Sequence, residues 1–167
     1  MTGKWEQWLR SSSDRPAPRL TFRYRADSDG SLADFSGKLL FVLLSRSCSA
    51  CREVISKLAP IVDDLPATLL VLADQAIEDE DAFGVRDTAS NAKNISMASA
   101  SFPEIYLGFS IPRGVWLEYP TLFLLDAEGR VRVTTDVPEQ MTDSEWLKQR
   151  MTECMPAGRI KNTIAAL

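Results

Sequence analysis

The hydrophobic positions of the chain follow patterns that predict a strand, a helix and a second strand in succession. An unbroken apolar run covers Leu39 to Leu44, and the largely apolar segment from Ala67 to Asp74 predicts a second buried strand. Such runs are typical of central strands that are buried on both faces. Between them, apolar side chains recur at spacings of three and four, as on one face of a helix, at Val54, Ile55, Leu58, Ile61, Val62 and Leu65. This alternation predicts a parallel strand pair with a right-handed crossover.

Three further segments have patterns that predict regular elements. Leu20 to Gly30 alternates apolar and polar residues and ends in a turn, which predicts a strand or the first arm of a hairpin. An apolar run after Pro120, a turn over Asp126 to Gly129 and an alternating strand from Val131 predict a β-hairpin. A final helix is predicted with Thr142 and Glu145 as its capping box and with one apolar face formed by Leu147, Met151 and Cys154.

The section from Gln75 to Glu118 has weaker patterns. Residues 76–89 are acidic, and their four consecutive acids predict a solvated face on a helix. Residues 90–101 are rich in serine and alanine and are predicted to form a loop, and Glu104 to Ile111 is predicted to be a strand. We expect one domain over residues 20–155, with an N-terminal arm over 1–19 and a C-terminal tail over 156–167.

Composition and charge exclude some classes of partner. The chain of 167 residues is 45% hydrophobic and 25% charged, with a net charge of -4, which gives no general attraction to nucleic acid or anionic lipid. The first 25 residues are locally basic and are predicted to be a solvated arm. Neither an apolar signal-peptide core nor a run long enough to span a membrane is apparent, so we expect a cytoplasmic protein without a membrane span.

The cysteines are the candidate chemical groups. The sequence contains Cys48, Cys51 and Cys154 and no histidine, which excludes Cys-His and Ser-His-Asp catalysis. Structural zinc usually takes four Cys or His ligands, so we expect no metal site. Two alternatives remain for Cys48 and Cys51, a redox dithiol or two packed core cysteines. Their position between a buried strand and a helix, at the carboxyl edge of a parallel pair, favours the dithiol.

Helix position predicts different roles for the two cysteines. Cys48 at the helix start would face unpaired backbone N–H groups and the positive end of the helix dipole, which favour a thiolate. Dithiols of this type have pKa values of roughly 3.5–7. Arg46 and Arg52 flank the pair and are either candidates for lowering the pKa further or simply solvent-facing charges. Cys51, one turn on, is the predicted resolving thiol, whereas Cys154 is expected to pack in the core.

The order of these elements resembles the thioredoxin superfamily. More narrowly, SLADFSGKLLFVLLSRSCSAC and YPTLFLLDAEGRV are similar to segments of its TlpA-like branch, including MauD-type proteins. The resemblance implies a three-layer α/β/α sandwich with a central mixed sheet, an N-terminal extension and an insertion before a cis-proline hairpin. It also implies a cis Tyr119-Pro120 bond facing Cys48. Tyr119, Pro120, Ser47 and Ser49 are then the expected substrate contacts.

The sequence departs from the pattern of that branch beside the dithiol. Ser47 replaces the usual tryptophan, the pair between the cysteines contains no proline, and no acid interrupts the run from Leu39 to Leu44. A buried carboxylate that deprotonates the second cysteine therefore has no counterpart in that run, and Glu53 is a candidate substitute. These differences leave the direction of the redox reaction open.

The function predicted from the residues and the resemblance is that of a thiol-disulfide oxidoreductase. Its partners would be a protein or peptide thiol or disulfide and a second redox partner, and it would need no cofactor. The alternative is a thioredoxin-fold binding module or maturation chaperone, with an incidental dithiol and with exposed Trp5, Trp8 and Trp116 holding the partner. Peroxide reduction is a weaker alternative, because Ser45 stands where peroxiredoxins carry a threonine.

Overall fold

A mixed β-sheet lies at the centre of the protein. The computed structural model describes residues 2–11, 19–24, 28–74, 94–112 and 114–154. Within these residues, seven strands form one sheet in the order β2-β1-β5-β4-β3-β6-β7. The strands are β1 (Thr21–Tyr24), β2 (Asp29–Ser31), β3 (Leu39–Ser45), β4 (Ala67–Ala73), β5 (Ile95–Ser99), β6 (Thr121–Leu125) and β7 (Val131–Thr135).

Helices cover both faces of the sheet. The described helices are α1 (Thr2–Ser11), α2 (Ser49–Asp63), α3 (Phe102–Gly108), α4 (Pro138–Met141) and α5 (Ser144–Cys154), and a 3-10 turn covers Leu32–Phe35. Leu39, Phe41 and Leu43 of β3 pack in a core with α2, α4 and α5. The alternate residues of β3 pack in a second core with α1 and α3. Because β3 is buried on both faces, its sequence is continuously apolar.

The predicted central elements are confirmed. Strands β3 and β4 are parallel and are connected through α2, as the alternation of apolar patterns predicts. Strands β6 and β7 form the predicted antiparallel hairpin, and Gly129 in its turn has a φ of 84°, a conformation that favours glycine. Strands β1 and β2 form a hairpin within the alternating segment that follows Leu20. The three-layer α/β/α architecture is therefore also confirmed.

Two predictions for the middle section are wrong. Residues 95–99, predicted as a loop, form β5, a central strand parallel to β4 and antiparallel to β1. With serine or alanine at three of its five positions, this segment gives a weak local signal, and pairing with both neighbours determines its structure. The segment predicted as a strand from Glu104 instead belongs mostly to α3. Here Ser101 and Glu104 form a capping box, a helix-start signal that is visible in the sequence.

The N-terminal segment is not a solvated arm where the structure describes it. Trp5 and Trp8 of α1 are buried, their rings stack with centroids 5.1 Å apart, and Trp8 contacts Phe123 of β6 edge to face. The Trp5 indole N–H donates to Asp136 at 3.0 Å. The basic composition that suggested a solvated arm did not reveal the two tryptophans as anchors. The domain boundary at residue 19 remains a prediction.

The cap of the final helix is displaced by one residue from its predicted position. The Asp143 carboxylate accepts from the backbone N–H groups of Glu145 and Trp146 at 3.0 and 3.2 Å. Thr142, the predicted cap, instead ends α4 and donates its hydroxyl to the Pro138 carbonyl at 3.1 Å. The acidic segment over residues 76–89 and the tail over 156–167 lie outside the described residues.

Candidate functional site

The two cysteines of the motif lie at the start of α2 and form a disulfide. The Cys48–Cys51 bridge joins Cα atoms 5.2 Å apart. Cys48 is half-buried, whereas Cys51 is completely buried beneath it. An incoming sulfur can therefore approach Cys48 more easily than Cys51, which is the asymmetry that an attacking thiol and a resolving thiol require.

The backbone at the helix start is directed toward the sulfur of Cys48. Strand β3 ends at Ser45, and Cys48 adopts an extended conformation (φ -101°, ψ 155°) as the N-cap residue of α2. The backbone N–H of Cys51 donates to Cys48 Sγ at 3.1 Å. In the reduced protein, a donor at this position and the unpaired N–H groups of the first turn would stabilise a Cys48 thiolate.

The predicted cis bond lies at the same edge of the sheet as the cysteines. The Tyr119-Pro120 peptide is cis. The antiparallel register pairs Leu44 with Thr121, so Pro120 precedes β6 at the edge where β3 ends and leads to Cys48. Ser47 and Ser49, on either side of Cys48, are exposed. This arrangement is compatible with the predicted substrate contacts, whose roles remain predictions.

A buried carboxylate that the sequence analysis did not identify connects this region. Asp74, directly after β4, accepts from Arg46 Nε at 2.9 Å, from Arg46 Nη2 at 2.7 Å and from the Tyr119 hydroxyl at 2.9 Å, all on Oδ2. The Arg46 guanidinium also lies over the Tyr119 ring, 4.3 Å from its centroid. A signal was available, because Asp74 ends a buried parallel strand at the carboxyl edge of the sheet.

Burial and hydrogen bonding shift the ionisation of this cluster. Burial raises the pKa of Tyr119 well above its usual value, and the hydrogen bond to Asp74 and the charge of that carboxylate raise it further. The hydrogen bond to Asp74 likewise raises the pKa of Arg46. Tyr119 is therefore a neutral phenol and Arg46 a cation throughout the neutral range, and both are directed to the same oxygen.

The other candidate tuning residues lie on the exposed side of α2. Glu53 is exposed and pairs with Lys57 at 2.8 Å, and this hydrogen bond lowers the pKa of Glu53. An exposed, ion-paired carboxylate differs from the buried carboxylate for which Glu53 was the candidate substitute. The side chain of Arg52 is exposed, and its backbone N–H donates to the Cys48 carbonyl at 3.0 Å. The tuning roles of both residues remain predictions.

Cys154 is a free thiol that packs against the core on the α5 side of the sheet. Burial, the main cause, raises its pKa to about 11. A protonated, partly buried thiol is a poor nucleophile, which agrees with its predicted packing role.

The described tryptophans differ in their availability to a partner. Trp5 and Trp8 are buried, so the prediction that they are exposed anchors is wrong. Trp116 is 67% exposed. The Tyr106 hydroxyl donates to the carbonyl of Val115 and accepts from the N–H of Leu117 at 3.0 Å, so the backbone is held on both sides of Trp116. In addition, no described helix is long and apolar enough to cross a membrane.

Comparisons with known proteins identify the fold through structure alone. No protein-family model matches the chain, and no curated protein matches its sequence. Similar solved structures include a thioredoxin-family thiol:disulfide interchange protein from Chlorobium tepidum, with 17% identity over 84% of this chain and 96% of that chain and a TM-score of 0.65.

Two further structures give the same result. The thioredoxin domain of a thiol-disulfide oxidoreductase from Bacteroides vulgatus is 17% identical over 82% of this chain and 96% of that chain, with a TM-score of 0.62. A secreted disulfide oxidoreductase from Mycobacterium tuberculosis is 16% identical over 89% of this chain and 96% of that chain, with a TM-score of 0.57. The mixed sheet, the Cys-x-x-Cys helix start and the cis-proline hairpin thus belong to a thioredoxin-like fold.

Proposed function

We propose that this protein is a thiol-disulfide oxidoreductase that exchanges its Cys48–Cys51 disulfide with the thiols or disulfides of a protein or peptide. The observation that carries the proposal is the geometry of the pair, in which a half-buried Cys48 caps α2 above a buried Cys51. Two cysteines that only filled the core would both be expected to lie within it. Similar folds among known oxidoreductases are consistent with this chemistry.

The first step in the reducing direction is attack by the Cys48 thiolate on one sulfur of the substrate disulfide. The substrate S–S bond breaks, a bond between Cys48 and that sulfur forms, and the other substrate sulfur leaves as a thiolate and takes up a proton. The N–H of Cys51, which donates to Cys48 Sγ in the disulfide, would stabilise the attacking thiolate.

The second step releases the reduced substrate. Cys51, after losing its proton, attacks Cys48 Sγ, the mixed disulfide breaks, and the second substrate sulfur leaves and takes up a proton. Two electrons have then passed from Cys48 and Cys51 to the substrate, and an external dithiol reductant must restore the protein. In the oxidising direction the same steps run in reverse.

The cis-proline segment is the proposed docking site for the substrate chain. Extended peptides commonly bind by pairing their backbone with a free strand edge or loop. Tyr119 and Pro120, together with the exposed Ser47 and Ser49 on either side of Cys48, would supply such a groove. Arg46 and Arg52 would favour the thiolate electrostatically. The proposal also includes a cytoplasmic location and a role for Glu53 as the substitute for the carboxylate that deprotonates the second cysteine.

Reduction of insulin by dithiothreitol tests the activity directly. The protein should raise the rate of insulin precipitation above the rate with dithiothreitol alone, and an unchanged rate would contradict the proposal. The reduction potential of the Cys48–Cys51 couple would then establish the direction. A value of about -270 mV is typical of a reductant, and one of about -120 mV is typical of an oxidant.

A binding module or maturation chaperone is the second candidate, favoured by the exposure of Trp116. Partner binding by a module would not need the nucleophilic sulfur. A Cys48→Ser variant that still bound or matured its partner as well as the wild type would favour this candidate.

A further inference from the structure

Asp74 joins the two segments that border the proposed substrate groove. Arg46 lies two residues before Cys48, and Tyr119 immediately precedes Pro120. Both donate to Asp74 Oδ2, at distances between 2.7 and 2.9 Å. The cysteine loop and the cis-proline loop are thereby attached to one atom at the end of β4.

Burial makes this attachment specific. The Asp74 side chain is only 7% exposed, whereas that of Arg46 is 49% exposed. A nearly buried carboxylate requires charged or polar partners, and hydrogen bonds to an ionised acceptor are stronger than bonds between neutral groups. Movement of Arg46 or Tyr119 away from Asp74 would leave the buried carboxylate short of a partner and is therefore unfavourable. Each of these two side chains is thus restrained by its bond to Asp74.

We propose that Asp74 is a positioning residue for disulfide exchange, which holds Arg46 and Tyr119 in the arrangement that binds a protein disulfide beside Cys48. This inference rests on the proposed function and deepens it. Asp74 does not touch the sulfurs in this proposal. It acts through the Tyr119 ring, which Arg46 covers on one face, and so determines the shape of the groove wall before the substrate arrives.

The proposal predicts a difference between large and small substrates. A protein disulfide must lay its chain along Tyr119 and Pro120, so loosening Tyr119 weakens its binding. A small disulfide such as hydroxyethyl disulfide needs only access to Cys48. Loss of Asp74 should therefore raise the KM for insulin while leaving the rate with the small disulfide nearly unchanged.

The chain contains a matched control at the opposite edge of the sheet. Asp126 is also a nearly buried carboxylate, with 9% side-chain exposure, and it pairs with Arg132 at 3.4 Å. It follows β6, whose Leu125 pairs with Leu40 near the start of β3, so it lies far along the strands from Cys48. Asp126→Asn removes a comparable buried charge without changing the groove.

The experiment compares the wild type, Asp74→Asn, Tyr119→Phe and Asp126→Asn with insulin and with hydroxyethyl disulfide. We expect Asp74→Asn to raise the KM for insulin about tenfold and to change the small-disulfide rate less than about twofold. Tyr119→Phe removes only the hydroxyl that reaches Asp74. It should shift the KM for insulin in the same direction. In the double variant of Asp74→Asn and Tyr119→Phe, the KM should rise by less than the two single effects combined. Asp126→Asn should leave the KM for insulin and the rate with hydroxyethyl disulfide unchanged.

Several results would overturn the role of Asp74. One is an unchanged KM for insulin in Asp74→Asn. Another is a loss of activity in Asp74→Asn that is equally large with insulin and with hydroxyethyl disulfide. The third is a rise of the KM for insulin in Asp126→Asn as large as that in Asp74→Asn. If Asp74→Asn does not fold, the same decision rests on Tyr119→Phe. A wild-type protein that exchanges neither substrate would instead contradict the proposed function, so the two failures can be distinguished.

Discussion

The backbone N–H of Cys51 donates to the sulfur of Cys48 at 3.1 Å, within the same turn that their disulfide closes. The resolving cysteine thus contributes both its sulfur and its backbone to the site, because it lies on the first turn of α2. Its own sulfur is buried, so it can reach Cys48 but not an external substrate. This relationship leads to separate predictions for the two thiols.

Replacement of each cysteine should have a different outcome. Cys48→Ser should abolish exchange, since the accessible nucleophile is lost, whereas Cys51→Ser should retain attack but accumulate a mixed disulfide with the substrate. Non-reducing electrophoresis and mass spectrometry after incubation with insulin would detect the trapped species. A Cys51→Ser variant that turns over at the wild-type rate would refute the two-cysteine mechanism.

Cys154→Ala should leave exchange activity intact, because this thiol is free and packs against the core beneath α5. We expect the free energy of unfolding to fall by about 1 kcal/mol through lost packing. Urea denaturation of the oxidised variant and the wild type provides the measurement. Loss of exchange at unchanged stability would instead give Cys154 a role in the chemistry.

The alkylation of the free thiol should depend steeply on pH. Burial raises the pKa of Cys154 to about 11, so the thiol is protonated at neutral pH. In the oxidised protein, iodoacetamide should therefore react slowly near pH 8, and the rate should rise up to about pH 11. Mass spectrometry of the labelled peptide follows the reaction. Rapid labelling at neutral pH would show that Cys154 is more accessible than the structure indicates.

Two tyrosines should make the fold sensitive to alkali. Burial, followed by the hydrogen bond to Asp34, raises the pKa of Tyr24 to about 12, and the pKa of Tyr119 is also raised. The folded protein holds these phenol protons more tightly than the unfolded chain does. Their contribution to the free energy of unfolding is therefore complete below the unfolded pKa of 10.0, and it is lost as the pH rises through the pKa values of the folded protein.

Urea denaturation at several pH values from neutral to alkaline checks this dependence. Stability should decline as the pH passes 10.0, the usual tyrosine pKa. Tyr24→Phe and Tyr119→Phe should each make the decline shallower. An equal decline in the double variant would assign the effect to other groups.

The burial of α1 predicts a large difference between two tryptophans. Trp8→Ala removes a buried ring that packs against Phe123 and should cost roughly 3–5 kcal/mol of unfolding free energy. Trp116→Ala, at a 67% exposed position, should cost less than about 0.5 kcal/mol. Chemical denaturation of both variants compares them. Equal stabilities would mean that α1 contributes little to the fold.

Local sequence patterns alone were sufficient to predict the centre of this protein. Strands β3 and β4 are buried on both faces, and this produces their largely apolar segments. Helix α2 is buried on one face, and this produces its spacing of three and four. Both patterns are visible in short stretches of sequence. The same patterns also place Cys48 at the start of a helix. The start of α3 also has a local signal, the capping box of Ser101 and Glu104, although the sequence prediction for this segment was a strand.

Tertiary structure decided the features that depend on distant partners. Only Ile95 and Met97 of β5 are large apolar side chains, too few for a clear periodic pattern, and the strand exists because β4 and β1 pair with it on both sides. Asp74 meets Arg46 and Tyr119 across 28 and 45 residues, a relationship that no local pattern encodes. It arises because the parallel strands β3 and β4 bring their carboxyl ends to one edge of the sheet, and the antiparallel strand β6 begins at that same edge, directly after the segment that contains Tyr119.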